Sequence, residues 1–156
     1  MKYLNQLIDD YTALLQNGEL QAAYKGIMDY MSGLRNHFSD FEAVGGIYQG
    51  YMDMTYFSLN TQELMGRGLK IAVVYLHDKK TFEVWLSARN REISNKYRTL
   101  IHSSKLHQPL FHEKENTDAI IEYTLTSTPD FDNQAVLTEE IIKGTREFAE
   151  LITGLI

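Results

Sequence analysis

Leu69-Lys70-Ile71-Ala72-Val73-Val74-Tyr75-Leu76-His77, then Asp78-Lys79-Lys80, then Thr81-Phe82-Glu83-Val84-Trp85-Leu86-Ser87 is the stretch that sets the fold. β-Branched and aromatic residues dominate both runs, and the polar link is short enough to make them a hairpin. With a four-residue loop at 78–81, Leu69, Ile71, Val73 and Tyr75 share a face with Phe82, Val84 and Leu86, and that face is wholly apolar. The opposite face carries Lys70, Ala72, Val74 and Leu76 beside Glu83, Trp85 and Ser87, a mixture suited to partial exposure or to lining a pocket. A loop one residue shorter would scramble the faces. Trp85 alternates with apolar neighbours and is expected to be substantially buried.

Upstream, Leu4, Leu7, Ile8, Tyr11, Leu14 and Leu15 recur at helical spacing up to Gly18, a residue suited to ending a helix. A second stripe, Leu20, Tyr24, Ile27, Met31, Leu34 and Phe38, predicts a helical hairpin whose apolar faces must be covered by the sheet. Gly45-Gly46 breaks the pattern, and Ile47 to Phe57 reads as one long strand with Tyr48, Met52, Met54 and Tyr56 on one side and Gln49, Tyr51, Asp53 and Thr55 on the other. Asn60-Thr61-Gln62-Glu63 fits a capping box with Asn60 as the cap, opening a short helix that ends by Gly66.

Downstream, Asn90 can cap a helix with Ile93, Tyr97, Leu100 and Ile101 inward. A polar loop is expected to Thr117, then a strand from Ala119 to Thr126 that Thr128-Pro129 terminates, then a final helix capped by Thr138. The expected fold is a single α+β domain over residues 1–156, with about four strands packed by helices in the order ααβ(α)ββαβα.

The chain has 156 residues and no cysteine, which excludes disulfides, thiolate nucleophiles and sulfur-ligated metals. Asp9 and Asp10 stand where a signal peptide needs its apolar centre, and no apolar run is long enough for a membrane span, so a cytoplasmic location is expected. The net charge of −6 makes nucleic acid an unlikely partner. The charge is nonetheless uneven. Residues 66–105 hold nine Lys and Arg against three acids, and the remainder holds six against eighteen. Such an excess marks either an anion site or a solvated face.

Gly45-Gly46 and Gly66-Arg67-Gly68 precede strands rather than helices, so they read as turns and not as phosphate loops. His102, His107 and His112 recur every five residues, which matches neither helix nor strand periodicity, and no metal site is expected from them. No cofactor is implied. Asp53 and Glu83 are the acids closest to a shared site, with Lys70, Trp85, Arg89 and Asn90 nearby. Two carboxylates on neighbouring strands could hold a divalent cation while a lysine steadies a water.

The order of helix, three strands, helix and strand resembles restriction-endonuclease-like cores in topology. The third strand, however, carries Trp85 where their lysine belongs, and the second has no acid. Tyr48-Gln49-Gly50-Tyr51-Met52-Asp53-Met54-Thr55-Tyr56-Phe57 and Phe82-Glu83-Val84-Trp85-Leu86-Ser87-Ala88-Arg89-Asn90 resemble the signature segments of an uncharacterised family of small bacterial proteins, a domain of unknown function. That resemblance implies a stand-alone cytoplasmic protein and brings no catalytic residue.

The function expected is a non-catalytic module binding an unknown small molecule or protein. Its candidate ligand-binding residues are Tyr48, Tyr51, Asp53, Tyr56, Lys70, Glu83, Trp85, Arg89 and Asn90, since Tyr, Trp and Met favour pockets and interfaces. A homodimer would be a natural use of such a surface. The alternative is a metal-dependent enzyme acting on a phosphate-bearing or other anionic substrate, with Asp53 and Glu83 as ligands or acid–base groups and Lys70 and Arg89 as anion contacts.

Overall fold

The structure, a computed structural model, describes residues 1–103, 111–112 and 119–156. The hairpin that decides the fold forms as its residues dictate. Strand β3 (Leu69–Leu76) pairs antiparallel with β4 (Thr81–Ala88), bringing Ile71 opposite Leu86, Val73 opposite Val84 and Tyr75 opposite Phe82. The loop lies at 77–80, because Leu76 pairs with Thr81 rather than beginning the turn after His77. A shift of two residues in the pairing preserves side-chain parity, so the expected faces hold.

The stretch read as one long strand is a hairpin instead. Strands β1 (Glu42–Tyr48) and β2 (Met54–Asn60) run antiparallel, with Tyr48 opposite Tyr56. Between them Gly50 takes φ +71° and Met52 φ +63°, and the Asp53 carboxylate accepts a hydrogen bond from the Tyr51 amide at 2.9 Å. Gly45, expected to mark a break, lies within β1 at φ +69°, where the pairing slips between Val44 and Tyr48. Such a bulge bends an edge strand without ending it.

The sheet therefore has five full strands and a two-residue sixth, not about four. Its order is β1-β2-β3-β4-β6-β5, where β5 is Phe111–His112 and β6 is Ala119–Thr126. All the pairings among the described residues are antiparallel. The helices are α1 (Leu4–Asn17), α2 (Glu19–Arg35), α3 (Gln62–Gly66), α4 (Arg91–Ser103) and α5 (Gln134–Leu155). The element order is thus ααββαββαββα. Residues 104–110 and 113–118, which include His107 and most of the expected polar loop, lie outside the described residues.

Local signals account for the helix ends. Gly18 adopts a left-handed conformation at φ 82° and its amide donates to the Leu15 carbonyl, closing α1. Thr61, not Asn60, caps α3 by accepting from the Leu64 amide, while Asn60 accepts from the Thr61 amide. Asn90 caps α4 as expected, its Oδ1 accepting from Ile93 N at 2.9 Å. Helix α5 begins at Gln134, before Thr138. The Thr138 hydroxyl instead meets the Tyr30 hydroxyl at 2.9 Å, joining α2 to α5.

The core lies on one face of the sheet. Phe57, Ile71, Val73, Phe82, Val84 and Leu86 are fully buried there, with Met31 and Leu34 of α2 and Ile141, Phe148 and Ile152 of α5. Each such side chain contributes about 1.5–3 kcal/mol by leaving water. Phe131 closes the end of this layer, its ring 5.6 Å from those of Tyr30 and Tyr75 and 5.8 Å from that of Phe82. Helix α1 departs from expectation: it packs mainly along α2, and none of its residues is buried. No helix among the described residues is long and apolar enough to cross a membrane.

Candidate functional site

The opposite face of the sheet holds a pocket of about 810 Å³. Cross-strand pairing explains where it forms. Tyr56, Val74 and Glu83 make one row across β2, β3 and β4; Ser58, Ala72 and Trp85 make the next; Lys70 and Ser87 follow. Ser58 and Ala72 are too small to fill the space that Trp85 and Tyr56 enclose, and this leaves a hollow along the strands. Helix α4 walls one end, with Arg91, Ser94, Asn95 and Arg98 facing the hollow.

The pocket is polarised along the strand direction. Met54, Tyr56 and Val74 line one end, and Lys70, Arg89 and Arg91 line the other. No acid is among its described lining residues. These three cations are exposed at the rim, and among the described residues none of them forms an ion pair. Arg98 is engaged, donating to the Ala119 carbonyl at 2.7 Å. Arg89 is held by its backbone, whose amide donates to Gly68 O at 2.8 Å. Gly68 sits at φ +72°, and a Cβ there would lie 2.6 Å from Ile93 Cδ1 and 3.6 Å from the Arg89 guanidinium, so glycine lets the first turn of α4 approach β3.

Trp85 is half-buried as a pocket wall rather than a core residue, because its position on β4 faces away from the helical layer. Its indole N–H donates to Glu83 Oε1 at 2.8 Å. The bond gives a buried carboxylate a partner and fixes the ring at the pocket wall. Tyr56 is likewise buttressed, its ring stacked on Tyr48 at 4.9 Å.

Of the nine candidate residues, Tyr56, Lys70, Trp85, Arg89 and Asn90 line the pocket. Tyr48 and Glu83 lie behind them as supports. Tyr51 and Asp53 belong to the β1–β2 turn, where Tyr51 is 96% exposed. Backbone amides of Met54, Tyr51 and Asp53 itself hold the Asp53 carboxyl below its ordinary range, with a smaller contribution from His77. Asp53 and Glu83 are thus not brought together: one is fixed in an exposed turn, the other is buried beside Trp85, and neither lines the pocket. Among the described residues no group of three His, Asp or Glu is placed to hold a metal ion.

Sequence reasoning had Ser87 on the mixed face but missed Ser58 and the α4 wall. A signal for the wall was present: Arg91, Ser94, Asn95 and Arg98 fall at i, i+3, i+4 and i+7, one stripe of a helix. The apolar stripe of α4 drew the reading to its other side.

A second cluster lies at the β1–β2 turn. The Thr55 hydroxyl donates to Gln49 O at 2.8 Å and has then no proton left, so it accepts from His77 Nε2 at 2.8 Å. Neutral His77 is therefore the Nε2–H tautomer. Its ring lies against Tyr24 and Tyr75, and burial lowers its pKa from the ordinary 6.5 although Asp53 and Asp78 oppose the shift.

The chain matches the family described as Domain of unknown function (DUF7000) over residues 4–156, and it belongs to that family. No curated protein and no solved structure matches it.

Proposed function

We propose that this DUF7000 protein is a non-catalytic module that holds a small ligand in the pocket between the outer sheet face and α4. The observation that carries this reading is the pocket itself: a hollow of about 810 Å³ with aromatic walls at its centre and uncommitted cations at one end. Concave sites that combine apolar walls with a few placed polar groups are the usual form of small-molecule sites. The competing reading, a metal-dependent enzyme resembling a nuclease, needs Asp53 and Glu83 in one cleft. The bond from Trp85 to Glu83 and the position of Asp53 in the turn favour the binding module. A bacterial, cytoplasmic setting is part of the proposal, supported by the family resemblance and the cysteine-free sequence.

The test is thermal stabilisation by a panel of small metabolites, compared between the wild type and Ala72→Phe, whose ring would fill the hollow. Compounds that raise the melting temperature of the wild type are expected to lose that effect in the filled variant, whose fold is checked by circular dichroism. Stabilisation that survives the substitution would place binding elsewhere. Millimolar magnesium is expected to leave the melting temperature unchanged. A magnesium-dependent rise lost in Asp53→Asn with Glu83→Gln would establish the enzymatic reading instead, since ligands of the native state stabilise it by mass action.

A further inference from the structure

The ends of the pocket differ in chemistry, and that difference specifies a ligand. We infer, on the premise that the pocket is a binding site, that its occupant is an elongated phosphate monoester carrying a flat ring, of the kind a nucleoside monophosphate represents. The cationic end is built from β3 and the β4–α4 junction: Lys70 from β3, Arg89 just after β4 and Arg91 at the start of α4. Three cations, with no acid among the described lining residues, call for more than one negative charge, and a phosphate monoester carries about −1.5 to −2 at neutral pH where a carboxylate carries one. Arginine guanidinium groups match its oxygens in forked geometry. Asn90 adds a donor, because its carbonyl oxygen is oriented by the Ile93 amide and its NH₂ group is left to donate.

At the other end the described lining residues, Met54, Tyr56 and Val74, are uncharged, and the Glu83 carboxylate in their row is turned to the Trp85 indole. From the Val74 position to the Lys70 position along β3 is four residues, about 13 Å at the antiparallel rise. Over that distance the floor changes from Val74 through the small Ala72 to Lys70. Tyr56 and Trp85 stand on the two strands flanking β3, so a planar ring resting above Ala72 lies between two aromatic side chains. Trp85 has its N–H tied to Glu83 and Tyr56 has its ring held by Tyr48, so both are fixed before the ligand arrives. Stacking of this kind tolerates any base, which makes the class of ligand more sharply defined than its identity.

Isothermal titration of the full chain with adenosine 5′-monophosphate, adenosine and inorganic phosphate tests this, with Trp85, the sole tryptophan, as a fluorescent reporter in parallel. The monophosphate is expected to bind at least tenfold more tightly than either fragment and to quench Trp85. Lys70→Gln with Arg91→Gln, both at exposed positions, is expected to lower its affinity to that of adenosine. Ala72→Leu is expected to lower it to that of phosphate. A monophosphate that binds no more tightly than phosphate or adenosine overturns the inference. If it fails while a compound lacking phosphate quenches Trp85 and is displaced by Ala72→Phe, the ligand class is wrong and the pocket stands. If no compound in the panel perturbs Trp85 or the melting temperature, both readings fall together.

Discussion

Gly50 shows how much one residue decides. At φ +71° an added Cβ would lie 2.1 Å from the Met54 carbonyl oxygen and 2.7 Å from Asp53 Oδ1, both fixed by the turn. Gly50→Ala is expected to destabilise by about 1–3 kcal/mol, the usual cost of a strained backbone position, read as a lower urea midpoint with an unchanged slope. This turn was also the least legible part of the sequence. Tyr48 to Phe57 is rich in strand-forming side chains throughout, and the left-handed positions include Met52, a residue that does not announce a turn. His77 yields a second prediction. Burial makes the native imidazole a weaker base than the unfolded one, so its stabilising effect is complete above pH 6.5 and is lost as pH falls through 6.5 toward the lower native value. The Asp53 carboxyl acts in the same direction at more acid pH, since its native pKa is also lowered. Thermal unfolding between pH 7.5 and 5.5 is expected to show a shallower loss of stability in His77→Gln than in the wild type. An equally steep loss would remove His77 from the account.

At the scale of elements, periodicity locates the helices but misplaces the start of α5 and the cap of α3, and it does not show that α2 covers the sheet while α1 does not. An apolar stripe shows that a helix has a face, and not what lies against it. In α2 the buried residues Tyr30, Met31 and Leu34 all fall in its C-terminal half, where the helix lies on the sheet, and Phe38 continues the contact past its end. The N-terminal half is mostly exposed, touching the body through Tyr24 on His77 and Ile27 against the core, and α1 folds back along it with Leu4, Leu7, Ile8, Tyr11 and Leu14 at 47–70% exposure. Removing residues 1–17 is therefore expected to leave a sharp thermal transition, whereas removing 1–38 should abolish it. Met31→Ala, at full burial, is expected to cost about 2–5 kcal/mol in denaturant unfolding. Loss of cooperativity on deleting α1 alone would mean that the helical hairpin folds as a unit with the sheet.

For the whole molecule, the central hairpin and its two-faced pattern were legible because strand parity is fixed by local sequence. The pocket was legible only as a mixed face, since its depth comes from Ser58 and Ala72, small residues that carry no motif, and its end wall from a helix whose docking no local signal records. The sheet order has a further consequence, in the time domain. Strands β1 to β4 are neighbours in space in the order in which they occur in the chain, so three pairings close over short loops, while β6 joins β4 only after about thirty residues between Ala88 and Ala119. Loop closure makes the distant pairing the later event. A core truncation within the meander, Val73→Ala, should slow refolding with little effect on unfolding, whereas Ile141→Val in α5 should chiefly accelerate unfolding. Stopped-flow fluorescence can follow both through Trp85, whose indole becomes half-buried in the sheet. On this account the face that the ligand would occupy is expected to be laid down early in folding, before β6 joins the sheet beside it.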